Sequence, residues 1–241
     1  MPVEIQLHQN LDAVKREIAD FSDRQVPFAI RLALNATAVD GRDRVRDEMT
    51  RVFDSPTRFT LNSLFVRFAG RDVPEASVNI KDFAPKGTPA FKYLAPQIAG
   101  GERRTKRFER ALQAAGVLPS GMLAVPGSRA DLDAHGNMKG GQITKILSSL
   151  RASSDPYQNR GAGPGRRTRR ADRYFAGQFN GGPDGIWQVK NDHALPIMLF
   201  VDRARYRPRL HFAELVHDTV DTRFGDHFAA ALRRAHATAR D

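Results

Sequence analysis

Apolar residues recur at helical spacing near both ends of the chain and alternate with polar residues between them. Over residues 10–22, Leu11, Val14, Ile18 and Phe21 fall three or four apart behind Asn10, a good capping residue, and predict a short amphipathic helix. A longer helix is expected from about Val26 to Asp54, with Pro27 in its first turn, where a missing N–H costs little. Its apolar positions, Phe28, Leu32, Val39, Val45, Met49, Val52 and Phe53, form an interrupted stripe with Asn35 among them. Gly41 is an expected weak point, costing about 1 kcal/mol relative to alanine inside a helix. Unbroken, this helix would be about 42 Å long at ~1.5 Å per residue.

The period then shortens to two. Arg58–Leu61, Leu64–Ala69 and Ala76–Lys81 read as strands, with Gly70-Arg71-Asp72-Val73-Pro74 as a turn. Beyond residue 84 the pattern is mixed. Thr88–Ile98 reads as a helix disturbed by Pro96. Arg103–Ala115 reads as a helix ended by Gly116, Met122–Pro126 as a short strand, and Gly141–Ala152 as a helix with Ile143, Ile146, Leu147 and Leu150 on one face. Residues 153–172 offer little to bury and read as an arm. Strands return at Arg173–Ala176, Gly185–Val189 and Leu195–Val201, and a last helix runs from Phe212 to Arg240 with a possible break at Gly225.

This order predicts an α+β fold: long N-terminal and C-terminal helices packed on an antiparallel β-sheet, with a mixed helical and loop insertion. The expected organisation is a single domain over 1–241. Its insertion spans 84–172 and includes the basic arm 153–172.

Charge changes the picture more than composition does. The 38 Lys and Arg exceed the 27 Asp and Glu by 11, and the pI is about 10.5. Such a chain favours a polyanionic neighbour, whether nucleic acid, an acidic protein surface or anionic lipid. A GC-rich coding bias accounts for part of the arginine excess, but less well for its local clusters. One cluster is Arg103, Arg104, Lys106, Arg107 and Arg110. The other is Arg160, Arg166, Arg167, Arg169, Arg170 and Arg173. Both are candidate contacts to nucleic acid or to an acidic protein partner, and no recognition-helix, zinc-finger or RNP-type motif accompanies them.

The absence of cysteine excludes disulfides, thiolate metal sites and a cysteine nucleophile. No apolar run approaches the ~18 residues of a membrane span, and no secretory leader is expected at the N-terminus. Catalytic chemistry finds little footing. His211, Glu214, His217, Asp218 and Asp221 lie on the last helix, but His211 and His217 are six apart, which does not place two ligands on one helical face. His135 with Asp131 and Asp133 lies in a turn, and Ser120 or Ser128 would be its nucleophile. No Gly-x-Ser-x-Gly elbow occurs. Gly161-Ala162-Gly163-Pro164-Gly165 lacks the Gly-Lys-Ser/Thr of a phosphate loop. Neither enzyme activity, metal nor cofactor is expected.

A family resemblance gives these elements a context. The stretch from Val26-Pro27-Phe28 to Asn35-Ala36-Thr37-Ala38 resembles the opening helix of the prophage minor tail protein Z family. The C-terminal stretch from Leu195-Pro196-Ile197 through Tyr206-Arg207 into the terminal helix is also similar to that family. Tyr93–Arg104, Phe108–Leu112, Gly116–Pro119 and Gly140–Ile143 resemble proteins encoded in prophage structural-gene regions. The long middle segment departs from the family pattern.

The resemblance implies a non-enzymatic virion protein, a tail-completion or head–tail connector (neck) subunit that forms a homo-oligomeric ring. Six copies are the first expectation and twelve the alternative. Its partners would be neighbouring tail, adaptor or portal proteins and the packaged DNA, with no membrane. Its location would be the virion, after assembly in the host cytoplasm. A basic, sequence-independent nucleic-acid-binding protein is the alternative.

Overall fold

The computed structural model describes residues 19, 21–159, 173–191, 193–202 and 205–238. The helix expected over 10–22 lies almost wholly outside them, as does the stretch 160–172 of the expected arm. Within the described residues the fold is α+β, with long helices toward both ends and antiparallel sheets between.

The chain divides into two compact units, where the sequence predicts one domain with an insertion at 84–172. The first comprises Met1–Val52, Arg58–Phe91 and Leu210–Asp241; the second comprises Phe53–Thr57 and Lys92–Arg209. The physical reason lies in the strand pairing. The strand at 123–126 sits inside the expected insertion, yet it pairs with the strand that precedes the C-terminal helix. The middle segment is therefore the core of a second unit and not an excursion from the first.

The first unit is built on two 27-residue helices, α1 (Val26–Val52) and the C-terminal helix (Phe212–Thr238), with a π-helical turn at Phe21–Gln25 leading into α1. They run antiparallel: Ala29 near the start of α1 packs with Ala231 and Ala235, while Arg44 reaches Asp218 and Thr219. The buried row on α1 is Ala29, Ala33, Thr37, Gly41, Val45 and Met49, every fourth residue. Side chains four apart form one ridge of a helix, and small side chains on that ridge let two backbones approach closely. Of the apolar side chains expected to form the stripe, Val45 and Met49 stand in this row, whereas Phe28 and Leu32 sit beside it and flank the alanine cluster. Gly41 is buried, and a Cβ there would lie 3.7 Å from Val78 and 3.9 Å from Val216, at ordinary packing distance. It marks a close approach and not a break. The C-terminal helix likewise continues through Gly225.

Between these helices in sequence come a one-turn helix, α2 (Arg58–Leu61), and a two-stranded hairpin, β1 (Leu64–Arg67) and β2 (Ser77–Ile80). The strand expected at 58–61 is replaced by this helical turn. Asn62 N–H bonds the Arg58 carbonyl, and the Ser63 N–H and hydroxyl both bond the Thr60 carbonyl, so the chain reverses before a ladder can form. β1 and β2 pair antiparallel from Leu64↔Ile80 to Arg67↔Ser77 and pack against α1. Asn35 ties them down: its Oδ1 accepts the Ala69 N–H at 2.7 Å, and its Nδ2 donates to the Ala69 carbonyl at 3.4 Å. A helical asparagine thereby stands in for a neighbouring strand.

The second unit is a four-stranded antiparallel sheet flanked by helices. The elements are α3 (Ala90–Ala99), β3 (Gly101–Glu102), α4 (Arg107–Ala114), β4 (Leu123–Pro126), α5 (Gly140–Ser149), β5 (Arg173–Gly177), β6 (Gly185–Lys190), β7 (His193–Val201) and β8 (Arg205–Tyr206). The division between units falls inside α3, and the C-terminal helix is α6. The sheet order is β4-β7-β6-β5, with a bulge between Ile186 and Trp187; β3 and β8 form a separate small pair. Leu112 of α4, Ile146 of α5 and Tyr174, Ile186, Met198 and Phe200 of the sheet share one apolar core.

Candidate contact surfaces

The basic helix expected at 103–115 starts four residues late, and the reason is a buried carboxylate. Glu109 is fully buried and accepts four hydrogen bonds: from Arg103 Nη1 (2.8 Å) and Nη2 (2.5 Å), Lys106 N–H (2.6 Å) and Ala124 N–H (2.9 Å). The bond to Lys106 fixes the first turn of α4, and the bond to Ala124 joins that helix to β4. Burial pushes the Glu109 carboxyl up. The Arg103 guanidinium and the two backbone N–H donors outweigh this and hold it below the usual carboxylate range.

This removes Arg103 from the set of contact residues. Its side chain is 15% exposed and committed to Glu109, so it holds the unit together and does not present charge to a partner. Arg104, Lys106, Arg107 and Arg110 are exposed, as surface contact requires. Lys106 is a partial exception. Desolvation and the nearby Arg103 charge lower its pKa against the pull of Glu109, and its Nζ lies 6.0 Å from the Phe108 ring centroid. Arg160, Arg166, Arg167, Arg169 and Arg170 lie outside the described residues. Arg173 opens β5, with its side chain outside the description.

By sequence, the two units differ sharply in charge. The first holds 17 Lys and Arg and 17 Asp and Glu, a net charge of zero. The second holds 21 and 10, and 21 − 10 = +11 is the net charge of the whole chain.

The neutral unit carries a different surface that the sequence reading missed. Phe59, Phe65, Phe68, Phe83 and Phe91 are each between 36% and 75% exposed, and all lie in the hairpin segment 59–91 of the first unit. Alternation along β1 explains one of them: Leu64 turns inward and Phe65 outward. Period-two alternation was the available signal, since it placed Phe65 opposite the apolar face.

Several of the residues considered for catalysis are engaged in local hydrogen bonds and ion pairs. Asp133 Oδ1 accepts the N–H groups of His135 (2.8 Å) and Asn137 (2.9 Å), and these bonds lower its pKa. Nδ1 of His135 meets the Ser55 carbonyl at 2.8 Å, which requires the Nδ1–H tautomer, and Asp131 pairs with Lys139 at 2.7 Å. No hydrogen bond joins His135 to Ser120 or Ser128 among the described residues. On α6, His211 pairs with Glu214 at 3.2 Å.

A polar groove of about 410 Å³ between α1 and α6 is lined by Asp40, Asp43, Asp47, Arg44, Arg223 and Thr219. Two of its carboxylates are already engaged, Asp43 by Arg42 and Asp40 by His227 at 2.8 Å. Among the described residues no cluster of His, Asp and Glu is arranged to hold a metal ion, and no helix is long and apolar enough to cross a membrane. Compared with protein-family models, curated proteins and solved structures, the chain has no match.

Proposed function

We propose that the chain is a non-enzymatic structural subunit of a phage virion, a tail-completion or head–tail connector protein that works as a homo-oligomeric ring. The observation that carries this reading is the partition of the molecule. One unit is electrically neutral and exposes five phenylalanines; the other holds the entire positive excess. Apolar surface of this kind marks a protein contact, and a basic surface suits a polyanion. A subunit assembled beside packaged DNA needs both. The resemblance of the two ends of the chain to the minor tail protein Z family supports the same reading. Negative-stain electron microscopy of the concentrated full chain tests it. Closed rings of six or twelve copies are expected, and particles of monomer size contradict it.

The basic unit also favours a second reading, sequence-independent nucleic-acid binding by an unassembled chain. Binding that neutralises phosphates weakens linearly in log–log form as salt rises. A DNA titration at several salt concentrations separates the readings: strong salt-dependent binding by a monomer supports this one, and DNA binding only by the multimer supports the ring.

A further inference from the structure

We infer that the hairpin module of the first unit, residues 59–91, is the surface through which one copy of the chain binds the next. This rests on the ring reading and gives it a location. Five phenylalanines are left in water there, whereas α1 buries its row from Ala29 to Met49 and packs Ala29 with Ala231 and Ala235 of α6. At ~200 Å² for each phenylalanine, their exposed fractions sum to roughly 550 Å². For scale, that sum is about two-thirds of the ~800 Å² that each partner contributes to a stable protein–protein interface.

The backbone of the module is equally incomplete. The β1–β2 sheet has two strands, so each has one edge without a strand partner among the described residues. Such edges accept further strands, and an isolated two-stranded hairpin is marginal on its own. An edge on each of two strands lets copies add head to tail, an arrangement that closes into a ring when the rotation between copies closes.

Charge selects the occupant. A second copy brings its own neutral unit to the contact, whereas contact through the second unit would bring two surpluses of +11 together. A unit of zero net charge offers a strongly acidic or basic partner no net attraction. The partner that fits is another copy of this chain.

The test uses the full chain. Phe68→Ser combined with Phe83→Ser changes side chains that are 58% and 75% exposed, so folding is retained and is checked by an unchanged far-ultraviolet circular dichroism spectrum. Sedimentation velocity is expected to show a wild-type multimer and a monomeric double variant. A double variant of wild-type mass overturns this inference and leaves the ring reading standing. A wild-type chain that is monomeric at about 100 µM overturns both.

A second measurement exploits the absence of cysteine. In Phe83→Cys, thiol labelling is expected to slow at least tenfold between dilute and multimeric concentrations. In Tyr157→Cys, at a second-unit position that is 98% exposed, labelling is expected to stay constant. Equal labelling of Phe83→Cys at both concentrations overturns the inference.

Discussion

The two units bury and expose different sets of side chains. In the first, Ala29, Ala33 and Gly41 share the buried row of α1 with Val45 and Met49, while five phenylalanines stay exposed. The second closes on large side chains, Leu112, Ile146, Ile186, Met198 and Phe200, and keeps charge outside. Glu109, its one deeply buried charge among the described residues, is fully hydrogen-bonded. The second unit also exposes Leu132, Tyr157 and Phe179, but it is the first that concentrates exposed phenylalanine in one segment of chain.

Perturbing the second unit from within should give the largest effect. Glu109→Ala strands the Arg103 guanidinium and two N–H groups, and should destabilise that unit by about 3–5 kcal/mol. Calorimetry should show one transition falling while that of the first unit stays in place. The pairing also has a pH signature. Because the folded carboxyl titrates below its ordinary value, the unfolded chain takes up the proton first as pH falls. The stabilisation is complete above the ordinary glutamate value of about 4.3 and disappears as pH drops through the lower folded value. In Glu109→Gln this part of the acid sensitivity should vanish, measured as melting temperature against pH.

On the outside of the same unit, replacing Arg104, Arg107 and Arg110 together with alanine should leave melting unchanged. It should weaken DNA binding at low salt about tenfold or more and flatten its salt dependence by up to about three phosphates. If Arg103→Ala instead weakens DNA binding without changing stability, the separation between paired and presented arginines fails.

In the first unit, Asn35→Ala removes the bonds to Ala69 and should cost about 1–3 kcal/mol, because a poorly exposed N–H is left without its acceptor. The smallest effect has the opposite sign. Gly41→Ala places a methyl at ordinary packing distance from Val78 and Val216 and gains helix propensity, so it should stabilise by up to about 1 kcal/mol. Chemical denaturation measures both. A strongly destabilising Gly41→Ala would mean the helices pack more tightly there than these distances allow.

What the sequence made legible follows from where burial and hydrophobicity coincide. The strands at 64–67, 77–80, 185–190 and 193–201, the helix at 140–149 and the ends of α1 were readable because large apolar residues recur at the right period. The buried row of α1 was legible only at Val45 and Met49, because alanine, threonine and glycine carry little hydrophobic signal, and the conspicuous Phe28 and Leu32 sit beside it. The division into units was hidden because β4 pairs with β7 across some 70 residues of intervening chain. Arg103 looked like its basic neighbours because charge is visible in sequence, while its partner six residues on is recognisable only once burial is known. The exposed phenylalanines were not singled out by sequence because hydrophobicity alone does not say which side of a hairpin faces water.

The most direct test of the account is the mass of the full chain by light scattering at about 0.1 M and about 1 M salt. A multimer held by an apolar, neutral contact should keep its mass, or gain, as salt screens the repulsion between the basic units. A multimer that falls apart into monomers at high salt would be held by charge, and would contradict the assignment of assembly to the neutral unit.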